Sequence, residues 1–283
     1  MENKNISITR LISRFRWKIS LTLFLVLSES ALALLFPLFI GFAINGLLED
    51  SLQGIYQLAG LGVAALIVGS GRRFYDTRAY SDIYVKISDE VVAREQAEGR
   101  SISMISARAS LLTEFVEFLE NSMPMILESL IGVVGILIII FGLYISVFWA
   151  SIALLMLVFA VYWISAKANF RFNEGFNNQL EEQVNVLESR ERGLIRRHFR
   201  TVADWNIKLS DLETWNYAAI WLGIIALLVY SPIAVIGSGV LNYGLIFSAL
   251  MYVFQYVDNL VTLPFFIQQI IRLQEISTRL NSA

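Results

Sequence analysis

No cysteine occurs in the 283 residues, which excludes a disulfide framework, a thiol nucleophile and a thiolate metal site. The single histidine, His198, stands among Arg196, Arg197 and Arg200 and reads as a lone surface residue; no metal site is expected. Charged residues make up only 16 % of the chain and the net charge is -2, which excludes nucleic-acid binding by bulk charge. Positive charge is missing in a pattern: residues 19–71, 109–166 and 209–271 contain no Lys or Arg. All 22 basic residues lie in Lys4 to Lys18, Arg72 to Arg108, Lys167 to Lys208, and the pair Arg272 and Arg279.

What fills the basic-free windows is apolar, and 56 % of the whole chain is hydrophobic. A spanning helix needs about 20 apolar residues, so windows of roughly 50 to 60 residues each hold two spans joined by a tight turn. Six crossings follow. Basic residues resist translocation, which predicts that both termini and the two long basic loops are cytoplasmic. The outer connections are then Leu48 to Gly54, a turn near Ser146 and a turn near Gly237-Ser238-Gly239. The spans fall near Trp17 to Leu48, Ile55 to Tyr75, Met123 to Ile145, Val147 to Ile164, Trp215 to Ile236 and Val240 to Leu263. Pro37, Pro124, Pro232 and Pro264 lie in or at the ends of these segments, where membrane helices tolerate a kink. The basic start resembles a signal-peptide n-region, but the apolar stretch after it runs about 30 residues, too long for an h-region, and is expected to be retained.

The two inner loops are rich in helix formers and nearly empty of Gly and Pro, as in Ile83 to Glu98 and Gln179 to Val202. They predict helices that leave the membrane, turn and return. With about 25 residues per arm the stalks reach roughly 35 Å from the membrane. The first turn is expected near Gly99 to Ser110, with Ile102, Met104 and Ile105 as apolar anchors. The second is expected near Phe170 to Leu180, with Phe170, Phe172 and Phe176.

Six spans with long inner arms between spans two and three and between four and five resemble the transmembrane domain of ABC exporters. Two segments carry the resemblance further. Ser106-Ala107-Arg108 through Glu114-Phe115-Val116-Glu117 is similar to the family's segment after its first intracellular turn. Gly239 to Ile246 through Tyr252, with Leu273 to Leu280, is similar to its sixth helix and linker. The resemblance implies an all-α polytopic fold, one membrane domain over residues 1–283, a homodimer with exchanged helices, and the bacterial inner membrane.

The sequence departs from that family at its end. It stops at Ala283, where a nucleotide-binding domain is expected to begin, and it contains no Gly-Lys dipeptide for a phosphate-cradling loop and no Leu-Ser-Gly-Gly-Gln. The expectation is a protein that is not an enzyme, has no catalytic residues and uses no cofactor. The preferred reading is an ATP-independent, proton-coupled secondary transporter that exports small organic cations by alternating access. The alternatives are a permease subunit energised by a separate ATPase subunit, and a non-transporting membrane regulator.

Three acidic residues fall within the spans: Glu29, Glu128 and Asp258. A charge in hydrocarbon costs roughly 2.5 to 3.5 kcal/mol, so such groups face a cavity or a partner. At 100° per residue Asp258 is expected to share a face with Ser248, Met251, Gln255, Thr262, Gln269 and Arg272. Glu128 is expected to align with Glu114, Glu117 and Asn121 below it and with Gly132, Gly135 and Gly142 above. No basic residue is expected at the depth of Glu29 or Glu128, although Arg72 and Arg73 of span two can reach the lower edge, and burial disfavours the charged form of an unpaired carboxylate, which suits proton exchange or cation capture. The site reading is a cation site of Glu29, Glu128 and Asp258, with Gln255, and with Tyr252 and Tyr256 available to stack on an organic cation. The structural reading of the same residues is Glu29 bonded to a neighbouring hydroxyl, Glu128 near the headgroups, Asp258 capping a kink, and the two tyrosines packing between helices. Asp76 reads as a local ion pair with Arg72 or Arg73.

Overall fold

The computed structural model describes residues 13–239 and 242–281. Lys4, Arg10, Val240 and Leu241 lie outside the described residues, as do the side chains of Arg272 and Arg279. Among the described residues the chain is all helical and has no strand: α1 (Arg16–Leu48), α2 (Gln53–Ala97), α3 (Ile102–Glu117), a π-turn (Phe118–Ser122), α4 (Met123–Leu143), α5 (Ile145–Glu188), α6 (Arg192–Gly237) and α7 (Tyr243–Asn281). The α3–π–α4 run forms one of six helices long and apolar enough to cross a membrane. This is a polytopic all-α membrane protein. Breaks at Glu49–Leu52, Tyr144 and Ser238–Gly239 fall at or beside the expected outer turns.

The chain divides into two compact units, residues 1–143 with 239–283, and residues 144–238. In the first, α1 packs on α2, α4 and α7, and α4 packs on α7. Away from the apolar windows, α2 returns through α3 to form a hairpin. Tyr80, Ile83, Ile87 and Val91 recur at helical spacing on α2 and meet Leu112, Phe115, Val116 and Leu119. Away from that face stand Arg78, Asp82 and Lys86, so water is the reference solvent here, and each fully buried Ile, Leu or Phe contributes about 1.5–3 kcal/mol. The tip is made by Gly99 at φ 69°, and Ser101 caps α3 by accepting from the Met104 N–H at 3.4 Å.

The π-turn sits where Pro124 removes a backbone donor. The Met123 N–H bonds back to the Phe118 carbonyl, one residue further than an α-helix would allow, just before the proline ring. At the opposite end of this unit α1 and α7 nearly touch. Gly41 faces Gly244, whose backbone N–H donates to Asn45 Oδ1 at 2.9 Å. Pro37 lies inside α1, and its carbonyl accepts from Ser248 Oγ at 2.7 Å, while the Leu34 carbonyl accepts from Tyr252 Oη at 2.7 Å. The stretch of α1 around Pro37 is therefore held by α7 side chains.

The second unit is the α5–α6 hairpin. Its turn is Ser189-Arg190-Glu191, which corrects the expected position near Phe170 to Leu180. Phe170, Phe172 and Phe176 lie inside α5. Gly175 does not break the helix, because the face without a Cβ receives the Trp205 ring: an added methyl would lie 2.7 Å from its Cε2. The real turn carries no Gly or Pro; Arg190 itself takes the left-handed conformation at φ 54°. His198 is also corrected: it is 6 % exposed, not a surface residue. It lies seven residues before Trp205, hence on the same face of α6.

Candidate cation site

Three helices of the first unit converge on one guanidinium. Arg72 projects from α2, and its Nε bonds to Glu29 Oε2 on α1. Its Nη2 lies 2.9 Å from Glu128 Oε1 on α4, and its Nη1 lies 3.9 Å from Asp76 Oδ2 one turn further along α2. Asp76 in turn accepts from Thr22 Oγ1 on α1 at 2.6 Å. Local sequence explains these positions. Arg72 and Asp76 are four apart on one helix face, Thr22 and Glu29 are seven apart on another, and Gly69 has no side chain to collide with the Glu29 carboxylate.

This arrangement corrects the expectation that Glu29 and Glu128 have no cation at their depth. The two helices run antiparallel in a register that sets Thr22 beside Asp76 and Glu29 beside Gly69, so Arg72 reaches both carboxylates. That register is a property of the pair and cannot be read from either helix alone. Asp76 does meet Arg72, as expected, but its shorter contact is the Thr22 hydroxyl, and it is buried.

Beside the cluster opens a cavity of about 290 Å³. Its polar wall is Glu29, Ser30, Glu128, Ser129, Gln255 and Asn259; its apolar wall is Ala33, Leu34, Met125 and Ile136, with Gly132 between. Asn259 lies flat on Gly132, where an added Cβ would come within 2.6 Å of its Nδ2. That Nδ2 donates to the Gln255 carbonyl at 2.9 Å.

Glu29, Glu128 and Gln255 are thus brought together at one cavity. Asp258 is not: it is exposed and does not line the cavity. The expected shared face of Asp258 and Gln255 overlooked a 60° offset, since residues three apart on a helix differ by 300°. Asn259, four residues after Gln255, takes the cavity position instead. Tyr252 and Tyr256 are fully buried, so neither ring face is open to a ligand, and the packing reading of the pair holds. Of the glycines aligned with Glu128, Gly132 meets Asn259, Gly135 meets Leu34, and an added Cβ at Gly142 would meet nothing. Ser30 and Asn259 are the site residues that sequence reasoning missed, and Arg72 was placed only at the lower edge. The signal for Arg72 was its place at the end of a window without Lys or Arg.

Comparison with known families decides what kind of membrane protein carries this site. Residues 8–244 match the model of the ABC transporter transmembrane region. The chain belongs to that family. No curated protein matches it. An ABC transporter transmembrane region is a transport domain, so the cavity lies in the part of such a protein that crosses the bilayer.

Chemically the cluster is unbalanced: three carboxylates pair with Arg72, and Arg73 acts on Glu128 only as a more distant charge. Such an excess of negative charge in a low-dielectric site is costly, and it is relieved either by protons on the carboxylates or by a second cation beside Arg72.

Proposed function

We propose that this domain exports small organic cations by alternating access, exchanging them for protons at the Glu29–Arg72–Glu128 cluster. The observation that carries the reading is the charge imbalance at a cavity. Protons and a cargo cation compete for the same carboxylates, so loading one releases the other, and no nucleotide is needed for that coupling. Both termini and the two helical hairpins are cytoplasmic in this reading, by the distribution of Lys and Arg, and the membrane is a bacterial inner membrane. Two copies are proposed to pair with exchanged helices, as the resemblance implies. Asp258, exposed on α7, would enter the cation path only if a second copy closed over it.

A permease energised by a separate ATPase chain is the second reading. It is favoured by the family itself and by the α2–α3 hairpin, whose tip leaves Ile102 86 % exposed and Met104 40 % exposed. Proteoliposomes without nucleotide separate the two. Internal pH is followed while organic cations are added across an imposed proton gradient. Cation-triggered proton movement that disappears in Glu128→Gln supports exchange, whereas silence with every cation favours the ATPase-driven permease.

A further inference from the structure

We propose that the cargo is a protonated primary or secondary amine rather than a quaternary ammonium, and that Arg72 occupies the amine's place on Glu128 until the amine arrives. The proposal rests on the reading of this cavity as a cation site. At 290 Å³ the cavity is at the small end of the roughly 300–1,000 Å³ found for ligand pockets, which favours a cargo of few atoms.

Glu128 is the carboxylate most open to an incoming group, 39 % exposed against 25 % for Glu29 and 7 % for Asp76. Releasing it still leaves Arg72 bound to Glu29 and Asp76, so the guanidinium can yield one partner without being stranded. Ser30 supplies a second observation. Serines in helices commonly give their proton to the carbonyl four residues back, as Ser28 does to Phe24 at 2.9 Å. Ser30 does not: it lines the cavity, is 6 % exposed, and its Oγ has no hydrogen-bond partner among the described residues. A buried hydroxyl left unpaired costs free energy that a ligand able to hydrogen-bond would recover. Asn259 has its Nδ2 committed to the Gln255 carbonyl, so the oxygen of that amide remains as an acceptor.

A carboxylate, a hydroxyl and an amide oxygen around one space are acceptors for N–H groups. Quaternary ammonium ions have none to offer and are held by aromatic faces, and among the described residues no aromatic side chain lines this cavity. Tyr252 and Tyr256, the nearest rings in sequence to Gln255, are buried in helix packing.

The test is calorimetric titration of the full chain in detergent with butylammonium and with butyltrimethylammonium, which differ in N–H groups and keep the charge and chain. Butylammonium is expected to bind about tenfold more tightly, the worth of a charge-assisted hydrogen bond. Arg72→Gln is expected to tighten butylammonium binding by about tenfold by removing the resident competitor, with Arg72→Lys close to the parent protein. Should Arg72→Gln fail to fold, Ser30→Ala serves in its place: it is expected to weaken butylammonium severalfold and leave butyltrimethylammonium unchanged. Equal or tighter binding of butyltrimethylammonium that still depends on Glu128 overturns the amine assignment and leaves the cation reading standing. Loss of amine binding in a folded Arg72→Gln overturns the competitor role. Binding of neither ion removes the cation reading and this inference with it.

Discussion

Two buried ionic clusters in this protein look alike in sequence and differ in what they can do. Near the α2–α3 tip, Glu95 is fully buried and pairs with Arg108, which is 7 % exposed. Val91 and Leu112, one helical turn away on either side, are buried against the same hairpin core. That pair is balanced, one carboxylate to one guanidinium. The Arg72 cluster has three carboxylates to one guanidinium and lines a cavity with an unpaired hydroxyl. Balance and enclosure mark a charge that ties two helices together; imbalance beside open space marks one that has something left to bind.

The comparison is broken most sharply at Glu128. Glu128→Gln removes the open carboxylate and is expected to abolish cation-triggered proton movement, while Glu95→Gln, scaled to folded protein, leaves it unchanged. Flux assays on both variants check this, and loss of flux in both would erase the distinction. Arg108→Ala strands Glu95 and is expected to cost about 3–5 kcal/mol of stability, read as a large fall in melting temperature in detergent. Replacing both partners, Glu95→Leu with Arg108→Met, should restore most of that loss, because an apolar pair of similar volume replaces a buried ion pair at little cost. The same double replacement applied to Arg72 and Glu128 should recover neither stability nor flux, because Glu29 and Asp76 lose their shared cation.

A smaller effect is expected at Gly132. Gly132→Ala pushes Asn259 away from the cavity wall and should reduce cation affinity severalfold with little change in melting temperature, which titration and thermal scanning together would read. The smallest concerns Arg14 and Glu90, joined at 2.6 Å at the exposed ends of α1 and α2. The hydrogen bond and charge of Arg14 hold the Glu90 carboxyl below its ordinary range. A depressed carboxyl contributes stability above its unfolded value and loses it as pH falls through the folded one. The melting temperature of Glu90→Gln should therefore lie slightly below that of the parent protein near neutral pH and converge with it in acid. High salt should narrow the gap further, since both side chains are about half exposed.

Much of this architecture was legible in the sequence. The Lys and Arg blocks marked the spans and their turns because hydrocarbon excludes charge, a constraint acting on each residue separately. The first stalk tip was legible because Gly99 takes a positive φ that glycine favours. The second was not: Arg190 adopts the left-handed turn without glycine, and Gly175, inside the expected turn region, is a seat for Trp205. The candidate site was half legible. Glu29, Glu128 and Gln255 stood out as polar groups in apolar helices, but Arg72 required the antiparallel register of α1 and α2. Asp258 and Asn259, adjacent in sequence, exchanged roles through a rotation that phase counting over a long helix does not fix. The Ser106-Ala107-Arg108 segment acquires a physical reason as well, since Arg108 is the partner of buried Glu95.

The most direct test of the account is to count protons released when a cation binds. The full chain in detergent is titrated with butylammonium in weakly buffered solution while pH is recorded. Binding one ammonium lowers the carboxylate excess at the cluster by one charge, so about one proton should leave for each cation bound, and none in Glu128→Gln. Binding with no proton release in the parent protein would contradict the exchange of protons for cations at this cluster.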